Sequence, residues 1–376
     1  MLKINQVYVD NSATTKISRV VLDKMMPYLK DNYGNASQEY NLGKISKEAI
    51  ENARQEIAKL LNVATKEIYF TSSGTESDNL AILGIARANK NKGKHIITSS
   101  IEHKAVLNSM KELEKEGFSV TYLPVDKHGK IDVAMLKNSI TKDTILISIM
   151  LVNNEIGSIQ DIENISKIAK NNGIIFHTDA TQAAPHMKLD GSLCDAMSFS
   201  AHKFQGPKGV GVLYLKDSIQ IDNIKYGGGQ EKGLIPGTEN VASIVGAAEA
   251  FKNIQENIEA IAKKEKVLYD YLIAKLQKIN GFVQNGNIED SINSIINFYI
   301  VGINTQDLKL YMEMNGICIS SGSACNSNSK ELSHVLKAIG QSTPSIRISI
   351  NYQNTLDEMD YIYENIIRCI YFLNNK

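Results

Sequence analysis

Asp179 and Lys203 each stand at the end of an apolar run, in IIFHTDATQ (174–182) and DAMSFSAHKFQGPKG (195–209). Both runs read as short buried strands that deliver polar groups to one edge: Asp179 and Gln182 from the first, Ser200, His202 and Lys203 from the second. Where a sheet is parallel, strand ends of this kind line a crevice. A lysine and a carboxylate there are the two groups a pyridoxal phosphate enzyme needs, the amine to hold the aldehyde and the acid to hold the pyridine nitrogen protonated. A lone pair of this kind is more often a surface ion pair, so the case rests on the residues around it.

The turn Ser72-Ser73-Gly74-Thr75 at a helix start is a second candidate. Backbone N–H groups and the helix dipole favour an anion there, and the hydroxyls add donors; the same composition also serves as an ordinary helix cap. Ser200 and His202 could add further phosphate donors. His103, in IEHKAV, follows a strand and could stack on a flat ring and move protons, or serve as a structural hydrogen-bonding residue. His177 shares a strand face with Asp179, whereas His95, His128, His186 and His334 have no clustered partner in the sequence and read as ordinary. Arg347, in PSIRISI, alternates with apolar residues and is costly to bury without an anion. Its planar fork suits a substrate carboxylate, and an inter-domain salt bridge explains it equally well.

Four cysteines, Cys194, Cys318, Cys325 and Cys369, are widely spaced and form no C-x-x-C pair, so neither a disulfide framework nor a structural zinc site is expected. Cys325 lies in a Ser/Gly/Asn-rich loop, SSGSACNSNSKELSHVLKAIG (320–340), where an exposed thiol can reach a substrate. Cys194, Cys318 and Cys369 sit in apolar surroundings and read as buried packing groups.

The elements that must position these residues alternate. Residues 41–62 place Leu42, Ile45, Ala49, Ala53, Ile57 and Leu60 at helical spacing. Residues 66–90 read as strand, turn and helix; 94–106, 119–126 and 144–161 as strands, with helices near 104–116 and over 162–173. Strand and helix alternate from about 66 to 215, the pattern of an α/β domain with a mainly parallel sheet. The Gly-rich tract GGGQEKGLIPG (227–237) interrupts it, helical sequence follows over 240–279 with a break near 255–260, and 356–373 is a terminal helix. Between them SINSIINFYIVG, GICISSGSAC and SIRISIN are strand-like. The expected division is a large domain over 13–255 and a small α+β domain from 1–12 and 256–376 that carries the Cys325 loop.

Composition narrows the classes. Formal net charge is +0, from 41 basic and 41 acidic residues, which argues against a nucleic-acid or membrane-surface protein, since both need a positive field. No apolar run approaches the roughly 20 residues of a membrane span. The opening MLKINQVYVDNSATT enters a strand with no room for a targeting peptide, so a reducing cytoplasmic setting is expected.

Taken together the motifs resemble the cysteine desulfurases of the class V aminotransferase group, fold-type I pyridoxal phosphate enzymes. The resemblance runs through DNSATT (10–15), SSGTESDN (72–79), EHKAV (102–106), VNNEIG (152–157), HTDATQ (177–182), SFSAHKFQGPKGVG (198–211), GGGQEKG (227–233), PGTEN (236–240), SSGSAC (320–325) and SIR (345–347). The Ser-rich loop around Cys325 is similar to that of the long-loop subgroup, which includes the housekeeping and nitrogen-fixation desulfurases. The resemblance implies a fold-type I transferase with a seven-stranded, mainly parallel sheet in its large domain. It implies that Lys203 holds the cofactor covalently, that Asp179 holds the ring nitrogen, Gln182 the ring hydroxyl, and that His103 stacks on the ring. Gly74, Thr75, Ser200 and His202 would bind the phosphate, joined by Thr238 from the other subunit of a homodimer. Asn11, Asn154 and Arg347 would hold the substrate, L-cysteine, and Cys325 would take its sulfur as a persulfide with alanine as co-product. A sulfur-acceptor protein, such as an iron–sulfur scaffold or a tRNA-thiolation protein, would receive it. No nucleic acid or membrane would be bound directly. Selenocysteine lyase and class V transaminase activities share the scaffold; a transaminase does not need Cys325, whereas desulfuration does.

The chain departs from that pattern at four places. Ile235 stands where members carry Arg before the Gly-Thr motif, Tyr40 where they carry His, and Ala201 where they carry Gly. The segment 213–232, basic in some members, sets Lys216, Lys225 and Lys232 against Asp217, Asp222 and Glu231. With the tail ending at YFLNNK, close after the last helix, narrower or different partner choice is expected.

Overall fold

The computed structural model describes residues 6–286, 290–320 and 332–374. Cys325 therefore lies outside the described residues.

In chain order the strands are β1 (Val7–Tyr8), β2 (Ile68–Thr71), β3 (His95–Ser99), β4 (Ser119–Leu123), β5 (Thr144–Ser148), β6 (Ile175–Asp179), β7 (Ala196–Ser200), β8 (Gly211–Leu215), β9 (Phe282–Asn285), β10 (Ile295–Ile300), β11 (Ile317–Cys318) and β12 (Ile346–Ser349). Seven of them form one sheet in the order β2-β8-β7-β6-β5-β3-β4. β8 alone runs against its neighbours, β2 and β7; the other pairings are parallel. β2, β3, β5, β7 and β8 are buried at every position, as a sheet covered on both faces requires. Successive residues fall into different apolar clusters: Ile68, Ile97, Ile147, Met197 and Val212 on one side, Tyr69, Ile96, Leu146, Ala196 and Leu213 on the other. That alternation is the pleat of the strands written into packing.

The long helices fall where the periodicity places them, at Asn41–Leu60, Val241–Glu256, Ile258–Leu276 and Leu356–Asn374. Asn257 supplies the break, leaving the helical region at φ −112°, ψ 13°. Two of the longer expected strands are truncated. The 94–106 run is strand only to Ser99 before a helix begins at Lys104, and the 144–161 run only to Ser148, with an isolated bridge between Val152 and Ile159 beyond it. A helix at Arg19–Lys30 was not anticipated. It is capped by Ser18, whose side chain accepts from Val21 N, and it buries only Val21 and Met25, too narrow a stripe to stand out.

A second apolar cluster joins Val7 and Val9 to residues from Leu268 to Cys369. It packs around the antiparallel sheet β12-β10-β9 and the parallel pair β1-β11. The helix Ile258–Leu276 enters both cores, Ile261 in the first and Leu268 onward in the second.

Candidate active site

The C-terminal ends of β2, β3, β5, β6 and β7, all pointing the same way, open on one cavity of about 250 Å³. It is lined by Gly74, Thr75, His103, Asn154, Asp179, Gln182, Ser200, His202, Lys203 and Arg347 among others, so ten of the residues singled out in the sequence converge there. They are drawn from a long stretch of chain, from Gly74 to Arg347. The cavity sits outside the carboxyl ends of the strands, as ligand crevices in such sheets do.

Each side chain has a local reason for its position. Asp179 ends β6, is buried, and its Oδ1 accepts from Thr181 N at 2.8 Å. Lys203 follows β7 in a single 3-10 turn, and its Nζ donates to the carbonyls of Ser12 (2.6 Å) and Ala13 (2.8 Å). The N-terminal segment is thereby tied into the cavity wall. His103 caps the helix Lys104–Lys115, its Nδ1 accepting from Ala105 N at 3.2 Å. Burial, with the Lys203 charge nearby, pushes its ring below the ordinary histidine range, against an opposing pull from Asp179. Burial likewise holds His202 down at about 4, while its Nδ1 meets Thr14 Oγ1 at 3.1 Å.

At the helix that starts at Gly74, a Cβ would come within 3.1 Å of Thr181 Oγ1 and 3.3 Å of Ser200 Cβ. Glycine keeps that corner open. At Gly211 a Cβ would sit 2.4 Å from the Ser73 carbonyl carbon, so glycine there lets the Ser73 turn lie against β8.

Arg347 combines both readings of the sequence. Its side chain is 1% exposed; Nη2 pairs with Asp10 Oδ1 at 2.7 Å and Nη1 donates to Asn154 O at 2.9 Å. Nε is buried without a partner.

Two of the expected residues, Asn11 and Thr238, do not line this cavity, and for Thr238, expected from the other subunit of a homodimer, that is the placement the expectation requires. Asn11 is not among the lining residues, and its side chain donates to Ser349 O at 2.8 Å. Thr238 is exposed and belongs to a different depression, with Ile235 and Glu239. Cys318 is half-buried rather than buried, since β11 is only two residues long and its Sγ accepts from Gln6 Nε2 at 3.3 Å; Cys194 and Cys369 are buried as expected. His186 is not isolated: its Nδ1 meets Glu265 Oε2 at 2.8 Å. His334 is not isolated either, its Nε2 lying 2.9 Å from Glu102 O. Tyr40 is exposed, and the lysines of 213–232 are engaged: Lys216 with Asp195 at 3.1 Å, Lys225 with Glu76, Lys232 over the Tyr69 ring.

Two buried acids escaped the sequence reading. Asp78 lines the cavity, its Oδ1 making no hydrogen bond and lying 3.7 Å from His177 Nε2, and burial, reinforced by the Asp179 charge, holds its carboxyl well above the usual range. Its signal was the spacing of four from Gly74 on one helix face. Glu102 is fully buried beside His103 and accepts from Ser99 Oγ at 2.5 Å and from Met150 N at 3.0 Å; burial pushes it up to about 8.

The Aminotransferase class-V profile matches residues 7–362. A curated relative named cysteine desulfurase IscS, from Methanosarcina thermophila, is 47% identical over 98% of this chain and 93% of its own length. Among solved structures, a NifS-like protein superposes with a TM-score of 0.92 at 36% identity, covering 98% of this chain and 100% of that one. A structure titled SspA in complex with cysteine gives 0.82 at 35% identity over 93% of this chain and 100% of that one.

Proposed function

This chain belongs to the class-V aminotransferase family, and from that premise we infer that it is a pyridoxal phosphate-dependent cysteine desulfurase, converting L-cysteine to L-alanine. The observation that carries the reading is the meeting of Lys203, Asp179 and His103 with Asn154 and Arg347 in one cavity.

The residues present fit the cofactor. Gly74 leaves the corner beneath Thr181 and Ser200 open, hydroxyl and imidazole groups from Thr75, Ser200 and His202 surround it, and Lys203 and Asp179 face the same space. Lys203 would hold the aldehyde carbon, Asp179 the protonated ring nitrogen, Gln182 the ring hydroxyl, and Thr75, Ser200 and His202 the phosphate. Bound there, pyridoxal phosphate supplies an electron sink for the substrate Cα carbanion.

The rest of the chemistry belongs to the chain. Arg347 and Asn154 orient the substrate carboxylate, and the buried Arg347 Nε is a donor awaiting an acceptor. His103, its imidazole kept neutral by burial, can take a proton at a pH where a free histidine is partly charged. Cys325, deprotonated, attacks the substrate sulfur: the carbon–sulfur bond breaks, a sulfur–sulfur bond forms on Cys325, and the substrate carbon takes up the proton. The persulfide then passes to a sulfur-acceptor protein, and Thr238 serves the phosphate site of a second subunit.

Incubation with cysteine and a reductant, measuring sulfide and alanine together, tests this. Equal yields support desulfuration; pyruvate, or alanine without sulfide, overturns it. Lys203→Ala should lose the visible absorbance of the bound cofactor.

A further inference from the structure

We propose that Glu155, Ser333 and His334 are positioning residues that root the segment carrying Cys325 on the same loops that present Asn154 and His103 to the cavity; this rests on the reading of the chain as a cysteine desulfurase with Cys325 as its sulfur acceptor. The described chain stops at Ser320 and resumes at Leu332, on either side of that segment. At the first end, Ser320 forms an isolated bridge with Arg347, its N donating to Arg347 O at 3.1 Å and its O accepting from Arg347 N at 2.7 Å. Arg347 itself lines the cavity.

The second end is held by two contacts. Ser333 is buried and caps the helix His334–Ala338, its Oγ accepting from Val335 N at 3.1 Å. An amide N–H only donates, so the hydroxyl keeps its own proton for Glu155 Oε2, 2.6 Å away. His334 Nε2 lies 2.9 Å from Glu102 O, and a backbone carbonyl only accepts, so Nε2 is the donor whatever the charge on the ring. Glu155 directly follows Asn154 and Glu102 directly precedes His103, so each contact lies one residue from a group that lines the cavity.

The anchoring partners are themselves fixed. Glu155 is buried, its N donates to Asn153 Oδ1 at 2.9 Å and its O accepts from Asn297 Nδ2 at 3.0 Å. Asn153 Nδ2 in turn donates to Ile101 O at 2.9 Å, which ties this turn to the loop ahead of His103. Val335, Leu336 and Ile339 join Ile101, Met150 and Ile156 in one apolar cluster, so the helix behind Ser333 packs on the same two loops. A segment pinned at both ends samples a smaller volume than one pinned at a single end, which raises the effective concentration of the thiol it carries. Removal of the Ser333–Glu155 contact therefore slows the step that uses the thiol and spares the steps that do not.

The test uses the holoenzyme and two readouts. Sulfide release from cysteine needs Cys325, whereas exchange of the alanine Cα hydrogen with solvent deuterium needs only the cofactor and the residues around it. Glu155→Ala and Ser333→Ala should each lower kcat for sulfide release about tenfold, the scale of one lost hydrogen bond, with KM for cysteine, alanine exchange and cofactor absorbance within about twofold of wild type. Glu155→Gln keeps an acceptor in the same place and should retain the wild-type kcat. The two alanine substitutions combined should cost no more than the larger of them alone, since both remove one contact. Ser333→Ala decides the matter by itself if Glu155→Ala does not fold. Unchanged sulfide release in Ser333→Ala, alanine exchange that falls in parallel with sulfide release, or effects that multiply in the double variant overturn the proposal. A wild-type protein that exchanges alanine and releases no sulfide sinks the desulfurase reading instead, and the proposal with it.

Discussion

Among single residues, the cavity holds groups proposed to meet substrate or cofactor and buried acids whose protonation the fold sets. Cys325→Ser should abolish sulfide release while leaving cofactor absorbance intact, and mass spectrometry should find no added sulfur on the variant; persulfide at another cysteine would remove Cys325 from its role. Glu102 makes a different prediction. Burial raises its folded-state value to about 8 from an ordinary 4.5, so the native state prefers the acid form. Stability is then lost as pH rises from about 4.5 to about 8, because the unfolded chain ionises first. Glu102→Gln removes that titration, so relative to wild type it should gain roughly 3 kcal/mol between pH 5 and pH 8 in denaturant melts. A constant difference across that window would place the pressure on Glu102 elsewhere. Of the two acids, Asp78 had a faint signal in its spacing of four from Gly74, whereas nothing in IEHKAV distinguishes an enclosed Glu102 from a capping carboxylate.

At the scale of elements, the 227–237 tract is held by one buried ion pair. Glu231, at φ 47°, accepts from Arg54 Nη1 at 2.8 Å, Arg54 Nη2 at 2.7 Å and Phe70 N at 2.9 Å. The side chains are 10% and 5% exposed, so neither charge has water to fall back on. Glu231→Ala should destabilise the protein by about 3 kcal/mol, read as a loss of melting temperature, since it leaves the buried Arg54 guanidinium with only the more exposed Glu51 carboxylate and the Ile68 carbonyl as partners. Replacement of both by apolar residues should recover most of that, and a failure to recover would assign the cost to the strained backbone instead. The same tract read in the sequence only as a glycine-rich interruption; the contact that organises it spans 177 positions and has no local pattern. By contrast the strand and helix sequence from 66 to 215 was legible, because buried parallel strands are short apolar runs and amphipathic helices repeat every three to four residues. Strand ends were less so, since the apolar character of 144–161 continues past Ser148 into irregular backbone that is buried for another reason.

At the scale of the whole molecule, the cavity is assembled from both apolar cores and the N-terminal segment, with Arg347 from β12, Ser12 and Ala13 from the start of the chain, and the rest from the large sheet. Thr238 stands outside it, which makes the proposed homodimer testable by complementation. Thr238→Ala should weaken cofactor binding about tenfold, and a mixed dimer of Thr238→Ala with Lys203→Ala subunits should regain one site of native affinity. No gain on mixing would confine Thr238 to its own subunit. Among the described residues no helix is long and apolar enough to cross a membrane. The alternation of strands and helices was legible in the chain, as were Asp179, Lys203, His103 and Arg347 as chemistry-bearing residues, because periodicity and motif spacing are local properties; the strand order in the sheet was not. That these residues share one cavity, that Asn11 bonds Ser349 O instead of lining it, and that Glu265 meets His186 were settled by packing alone. Those outcomes depend on which distant side chains burial leaves facing one another, and a buried donor or acceptor is satisfied by whatever the packing brings to it.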